Sequence, residues 1–328
     1  MKLLASLGLG LLAASLAVGA RAHVFVALQP PAAHPATAPD GAAGAQQVPV
    51  ALDATRRLSV PVRIDGEQLH FLIDTASTRS VIASDVATRL ALGAGSKLEI
   101  VHIGGVDQVP SVIIPALSFS DVALSDVEAP ALLRGNLGSD GLLGLDVLRN
   151  DRLSIDFTHQ ARLTVTPSPR RPERERLTGD SDLIIVTARS RLGELVVTDA
   201  EIDGTALAVI LDTGAEESIG NPALARLLAR RGVENGGLHP TVLTSVTGAV
   251  LKANYTSIAS MRIGGVIIHN VPMAFGDLET FRHFGLVKRP ALLLGMSTLS
   301  VFSRVTIDFP RREIHFVMSR HATVADGG

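Results

Sequence analysis

One β-rich unit is written twice in this chain, and each copy ends a strand on an aspartate. The first copy reads Ile64-Asp65-Gly66 and then Phe71-Leu72-Ile73-Asp74-Thr75-Ala76. The second reads Ile202-Asp203-Gly204 and then Val209-Ile210-Leu211-Asp212-Thr213-Gly214. Ten residues separate the Ile from the second Asp in both copies. Asp-Gly between two runs of β-forming residues predicts a hairpin turn, so Asp65 and Asp203 are read as turn residues. The second strand of each hairpin then carries Asp74 or Asp212 at its C-terminal end.

Aspartate is a poor strand residue. At average composition an Asp-Thr-Gly or Asp-Thr-Ala triplet arises by chance on the order of 0.1–0.2 times in this length. Two such triplets in register with a longer repeat need a common role. The repeat continues through Ser80-Val81 and Ser218-Ile219, followed by the helix-start signals Ser84-Asp85 and Asn221-Pro222. Short helices are predicted over 85–92 and 222–231, closed by Gly93 and Gly232. Residues 119–127 match 263–271 as a hairpin. Gly141-Leu142-Leu143-Gly144-Leu145-Asp146 corresponds to Leu292-Leu293-Leu294-Gly295-Met296-Ser297, and Ser154-Ile155-Asp156-Phe157 to Thr306-Ile307-Asp308-Phe309. Asp146 stands opposite Ser297 in the repeat, so it is read as structural, as are Asp156 and Asp308.

Two copies are too few for a solenoid. They suit a pseudo-two-fold pair, which would bring Asp74 and Asp212 face to face. Two carboxylates about 3 Å apart cannot both ionise, so they share a proton. The ionised member can take a proton from water and the protonated member can donate to a carbonyl oxygen. That is general acid–base hydrolysis of a peptide bond without a covalent intermediate. Thr75 and Thr213 offer hydroxyls for hydrogen bonds across the axis. The small Ala76 and Gly214 let the backbone approach the carboxylates.

Composition excludes other chemistries. The 328 residues suggest about two domains. A net charge of −2 gives no basic excess for nucleic acid. Cysteine is absent, which removes disulfides, thiolate metal sites and cysteine nucleophiles. No H-E-x-x-H, G-x-S-x-G or phosphate loop occurs. No metal and no cofactor are therefore expected.

Lys2, the apolar run 3–19 and Ala20-Arg21-Ala22 read as a signal peptide over residues 1–22, cleaved after Ala22. Cleavage would leave no stable membrane anchor. Export without cysteine suits a bacterial periplasm or secretion. Residues 23–49 are rich in Ala and Pro and read as a flexible linker. A Pro-, Arg- and Glu-rich break at 167–182 separates a first lobe (50–166) from a second (183–320), with a tail over 321–328.

At these residues the chain resembles the retropepsin-like aspartic proteases. The resemblance is carried by Asp74-Thr75-Ala76-Ser77, by Asp212-Thr213-Gly214-Ala215 and by the two apolar-Gly elements. It implies an all-β fold of two closed-barrel lobes in tandem, the acid-protease fold. It implies that Asp74 and Asp212 are catalytic and that Thr75 and Thr213 form an inter-lobe grip. Ala76, Ser77, Gly214 and Ala215 would complete the active-site loops. Family flaps are Gly-containing hairpins midway between the Asp loop and the apolar-Gly element. Gly104 and Gly105 fit in lobe one, and Thr247 and Gly248 in lobe two. Both halves lie in one chain, so a monomer acting on a peptide or protein substrate is expected. With few aromatics, subsites of Leu, Val, Ile and Ala would favour extended peptides with medium apolar side chains.

Two departures bear on this. Ala76 stands where Gly is commonest, and a methyl there could shift the carboxylate. Glu216 and Glu217 follow the second loop and are expected to face solvent. The alternative is an inactive pseudo-protease that uses its cleft as a peptide-binding module of the cell envelope. Intact Asp-Thr in both copies argues against it, and Ala76 is the only feature in its favour.

Overall fold

The computed structural model describes residues 25–27, 45–158, 161–169, 181–191, 194–232 and 234–319. The signal-peptide reading of 1–22, the tail 321–328 and most of the linker 167–182 fall outside the described residues. Among the described residues, no helix is long and apolar enough to cross a membrane.

The first half contains β1 (Phe25–Ala27), β2 (Gln46–Val48), β3 (Ala51–Leu52), β4 (Leu58–Ile64), β5 (Glu67–Ile73), β6 (Val81–Ala83), α1 (Ser84–Arg89), β7 (Gly93–His102), β8 (Gly105–Phe119), β9 (Val122–Leu132), α2 (Arg134–Leu137), β10 (Gly141–Leu143), α3 (Leu145–Leu148), β11 (Asp151–Asp156) and β12 (Arg162–Pro167). The second half contains β13 (Ser181–Arg191), β14 (Glu194–Ile202), β15 (Thr205–Leu211), β16 (Ile219–Gly220), α4 (Pro222–Arg231), β17 (Glu234–Thr244), β18 (Val250–Ile263), β19 (Val266–Phe275), α5 (Glu279–His283), β20 (Ala291–Leu294), α6 (Met296–Leu299), β21 (Arg304–Asp308) and β22 (Glu313–Ser319).

The halves repeat one topology. In lobe one the ring runs β4-β5-β10-β6-β9-β8 and closes by β8 pairing with β4. In lobe two it runs β14-β15-β20-β16-β19-β18 and closes by β18 pairing with β14. Closure removes the sheet edges that would otherwise invite association. Along β4 every other residue is buried (Leu58, Val60, Val62, Ile64), the two-residue period of a strand with one face on the core. The Asp-Gly turns are built as the sequence demands. Asp65 and Gly66 have φ of 49° and 85°, and Asp203 and Gly204 have 47° and 70°, the left-handed pair of a tight hairpin.

Each ring contains two parallel pairs, and these position the site. β10 lies parallel to β5, and β20 parallel to β15. The apolar-Gly element therefore runs beside the strand that carries the aspartate. A Cβ on Gly144 would collide with the Arg79 backbone, and one on Gly295 with the Glu217 backbone. Glycine is needed at both crossings because backbone meets backbone.

The lobes are joined by a shared sheet in the order β13-β22-β21-β11-β12-β2. Its centre is an antiparallel pairing of β11 with β21, with Ser154 opposite Thr306. A side-chain hydrogen bond of 3.0 Å links these two residues.

Two expectations are corrected. Residues 23–49 are not wholly a tether. Residues 46–48 form β2, which pairs with β12, and residues 25–27 form β1, which pairs with β7. The available edge of each partner strand organises a segment with little preference of its own. The first short helix is α1 (Ser84–Arg89), and Gly93 opens β7 rather than capping a helix. Ala91, at φ 51°, makes the turn instead. The second helix is as read, with the Asn221 side chain accepting from Leu224 N at 2.8 Å and Gly232 left-handed at the C-cap.

Candidate functional site

Each aspartate follows the last residue of a parallel-paired strand, and its backbone N–H is taken by the neighbouring apolar element. Asp74 N donates to Leu143 O and Asp212 N to Leu294 O, both at 3.0 Å. The loop that follows is tied to the same element. Leu145 N donates to Ser77 O at 2.8 Å, and Met296 N to Ala215 O at 2.9 Å. The carboxyls are thus fixed through backbone bonds, which are insensitive to side-chain motion.

The two loops meet across the lobe boundary. Thr75 Oγ1 donates to Leu211 O at 2.9 Å and accepts from Thr213 N at 3.2 Å. Thr213 Oγ1 donates to Ile73 O at 2.8 Å and accepts from Thr75 N at 3.2 Å. Each hydroxyl both donates and accepts, so four buried backbone groups are satisfied across the interface.

Both carboxyls are wholly buried. Ala76 N donates to Asp74 Oδ1 at 3.0 Å. Gly214 N and Ala215 N donate to Asp212 Oδ1 at 3.0 and 2.9 Å. The Oδ2 atoms of both residues lack a hydrogen-bond partner among the described residues. A Cβ on Gly214 would lie 2.6 Å from Asp74 Cγ, so the Asp74 carboxyl rests directly on the lobe-two loop. Burial pushes Asp74 up to about 7, against its backbone hydrogen bonds and the charge of Arg57. Burial pushes Asp212 well above the ordinary carboxyl range, and the charge of Asp74 pushes it further.

Behind the loops, two serines play matching parts that the repeat contained but did not reveal. Ser80 Oγ accepts from Gly144 N, and Ser218 Oγ from Gly295 N, both at 3.1 Å. Ser80 Oγ then donates to Asp146 Oδ1 at 2.8 Å. Ser218 Oγ is instead 2.7 Å from Thr298 Oγ1. Asp146 is a partly buried structural anchor, and burial raises its carboxyl.

The candidate flap residues sit at two hairpin tips that touch. Gly104 lies in the turn between β7 and β8, and Gly105 opens β8. Thr247 and Gly248 lie in the turn between β17 and β18. A Cβ on Gly104 would be 2.8 Å from the Ala249 Cβ. Thr247 Oγ1 lies 3.3 Å from His102 Nε2, which is also 2.8 Å from Asp107 Oδ2. Ala76 shares a buried apolar cluster with Val101, Ile103 and Leu243 of these hairpins. Its methyl is thereby absorbed in packing.

Glu216 and Glu217 depart from expectation. Both are partly buried rather than solvent-facing. Burial raises the Glu217 carboxyl; burial also raises the Tyr255 hydroxyl, and the charge of Glu217 adds to that shift. The cause is the crossing of the apolar-Gly element, which packs Gly295 against the Glu217 backbone.

Two family models match the chain in tandem. The gag-polyprotein aspartyl protease family matches residues 60–150, and the aspartyl protease family matches residues 198–298. Comparison with curated proteins gave no significant match. The chain belongs to the retropepsin-like aspartyl proteases, with two such domains in tandem.

Proposed function

We propose that this chain is an aspartic endopeptidase that activates one water between Asp74 and Asp212. The observation that carries the reading is the pair of wholly buried carboxyls, each held at Oδ1 by backbone N–H and unpartnered at Oδ2 among the described residues. One carboxylate takes a proton from water as the oxygen bonds to the scissile carbonyl carbon. The other carboxyl donates its proton to the carbonyl oxygen, giving a neutral gem-diol. Collapse returns a proton to the departing amine and restores the dyad.

Both carboxyls lie wholly inside the protein while the hairpin tips are in contact. Substrate entry therefore requires the tips to part. The substrate class is an extended peptide with medium apolar side chains. The apolar lining of the hairpin cluster, with Val101, Ile103 and Leu243, supports this. Export to a bacterial periplasm or medium is part of the same proposal, on the strength of residues 1–22.

The test is hydrolysis of a peptide library from pH 3 to 8 by wild type, Asp74→Asn and Asp212→Asn. Each variant should lose on the order of 10²–10⁴-fold in kcat/KM. Variants that cleave as well as wild type would refute the dyad. A wild type that binds peptides yet never cleaves them would make the chain a peptide-binding module.

A further inference from the structure

We infer that Arg57 breaks the two-fold symmetry of the dyad, so that Asp74 is the carboxylate that takes the proton from water and Asp212 holds the shared proton. This rests on the dyad reading above and assigns the roles within it.

The assignment begins with strand register. β4 pairs antiparallel with β5 so that Ser59 faces Leu72. Continued two residues, that register sets Arg57 across from Asp74, one position past each strand end. Arg57 is a fully buried arginine, at 1% exposure. A tight turn fixes it. Asp53 Oδ1 accepts from Thr55 N at 2.9 Å and from Arg57 N at 2.8 Å. Asp53 Oδ2 takes the guanidinium at Nε and Nη2, both at 2.8 Å. Gly138, in the left-handed conformation at φ 76°, makes room, because a Cβ there would lie 2.7 Å from Arg57 Nη2.

Asp53 covers only one side of the guanidinium. Nη1 is buried and has no hydrogen-bond partner among the described residues. A cation held so in a low-dielectric interior acts on nearby charge more strongly than it would in water. Arg57 favours the ionised form of both dyad carboxyls. By the continued register it stands opposite Asp74, one position beyond the strand pair.

Among the described residues, lobe two places no cation at the matching position. Its β14–β15 register pairs Val196 with Ile210, and continuing it brings Glu194 to the position facing Asp212. Spacing in the sequence repeat brings Leu195 there instead. Neither residue is a cation. The charged groups that act on the pair are Arg57, which bears on both carboxyls and is itself paired with Asp53, and Asp74, which bears on Asp212.

The proton path follows. Asp74 takes a proton from water as the new C–O bond forms, and Asp212 gives its proton to the carbonyl oxygen. As the C–N bond breaks, Asp74 passes its proton to the amide nitrogen. One gem-diol hydroxyl returns a proton to Asp212, so both groups end as they began. Arg57 acts through Asp74 and touches no substrate. It is a positioning residue.

The test compares wild type, Arg57→Lys, Arg57→Leu and Asp53→Asn by kcat/KM against pH. The ¹³C carboxyl titration of the dyad is followed in parallel, with signals assigned from Asp74→Asn and Asp212→Asn. In wild type, Asp74 should be the carboxyl that ionises first. Arg57→Leu should move the acidic limb of kcat/KM upward by about one unit, a tenfold loss on its low-pH side. Arg57→Lys should stay within a few tenths of wild type. Asp53→Asn, which removes the counter-charge and keeps the arginine, should move the limb down. A uniform loss at every pH in Arg57→Leu, with the limb unmoved and no rescue by Lys, would overturn the inference. So would Asp212 ionising first. If no variant and no wild type cleaves any peptide, the protease reading fails, and the titration alone still decides which carboxyl Arg57 favours.

Discussion

Replacing Asp74 with Asn should make the protein progressively more stable than wild type as pH rises from 4 to 8. In the folded chain burial raises the Asp74 carboxyl from 3.8 to about 7. Across that window the folded protein keeps a proton that the unfolded chain has released. The stability associated with this group is complete below the ordinary carboxyl value. It falls as pH rises and levels off above about 7. The shift is about three units, and one unit is 1.36 kcal/mol, so the full loss is about 4 kcal/mol as a ceiling. Asn cannot ionise and escapes it. Its amide lacks a partner at the Oδ2 position, at a cost of about 1–3 kcal/mol, but that cost is the same at every pH. Asp212 also loses a like charge in the variant, which works in the same direction. Urea denaturation of both proteins at pH 4, 5.5, 7 and 8 separates the two effects. The difference in unfolding free energy should change in favour of the variant by about 2–4 kcal/mol across the series. A constant difference would show that Asp74 is not held protonated by burial.

Two further outcomes follow from the loop geometry. Gly214→Ala places a Cβ 2.6 Å from Asp74 Cγ, so it should cost about 1–3 kcal/mol by overpacking. It should also lower kcat more than it raises KM, and unchanged kinetics would contradict the contact. Thr213→Val removes the hydroxyl that serves Thr75 N and Ile73 O, leaving two buried backbone groups unpaired at about 1–3 kcal/mol each. Urea titration should show the loss, and a stability equal to wild type would mean the cross-lobe bonds contribute nothing.

Much of the fold could be read from local pattern. The Asp-Gly turns, the alternation along β4 and the Asn221 cap are set by residues a few positions apart, so the sequence displays them. The short helix after β6 ends at Arg89, three residues before the pattern predicts, because Gly93 serves a strand whose partner lies some twenty residues on. Ala- and Pro-rich residues 23–49 gave no strand signal, yet β1 and β2 form where β7 and β12 offer an edge. Glu217 looked like a surface residue, but the glycine crossing of β20 into α6 covers it. The Asp-Thr loops were legible because the repeat presents them twice. Ser80 and Ser218 were visible in the same repeat, though nothing in it revealed their hydroxyls on the glycine N–H groups.

The sequence alone determined that one strand-rich unit occurs twice, that each copy ends a strand on Asp-Thr, and that small residues must follow. These are consequences of φ preference, two-residue periodicity and residue size, all of which act over short spans. Tertiary structure decided what the two copies do to each other. It set the four-bond threonine exchange, the burial that raises both carboxyls and the meeting of the hairpin tips. Those depend on strand register and on exclusion of water between segments over a hundred residues apart, and no local pattern encodes either.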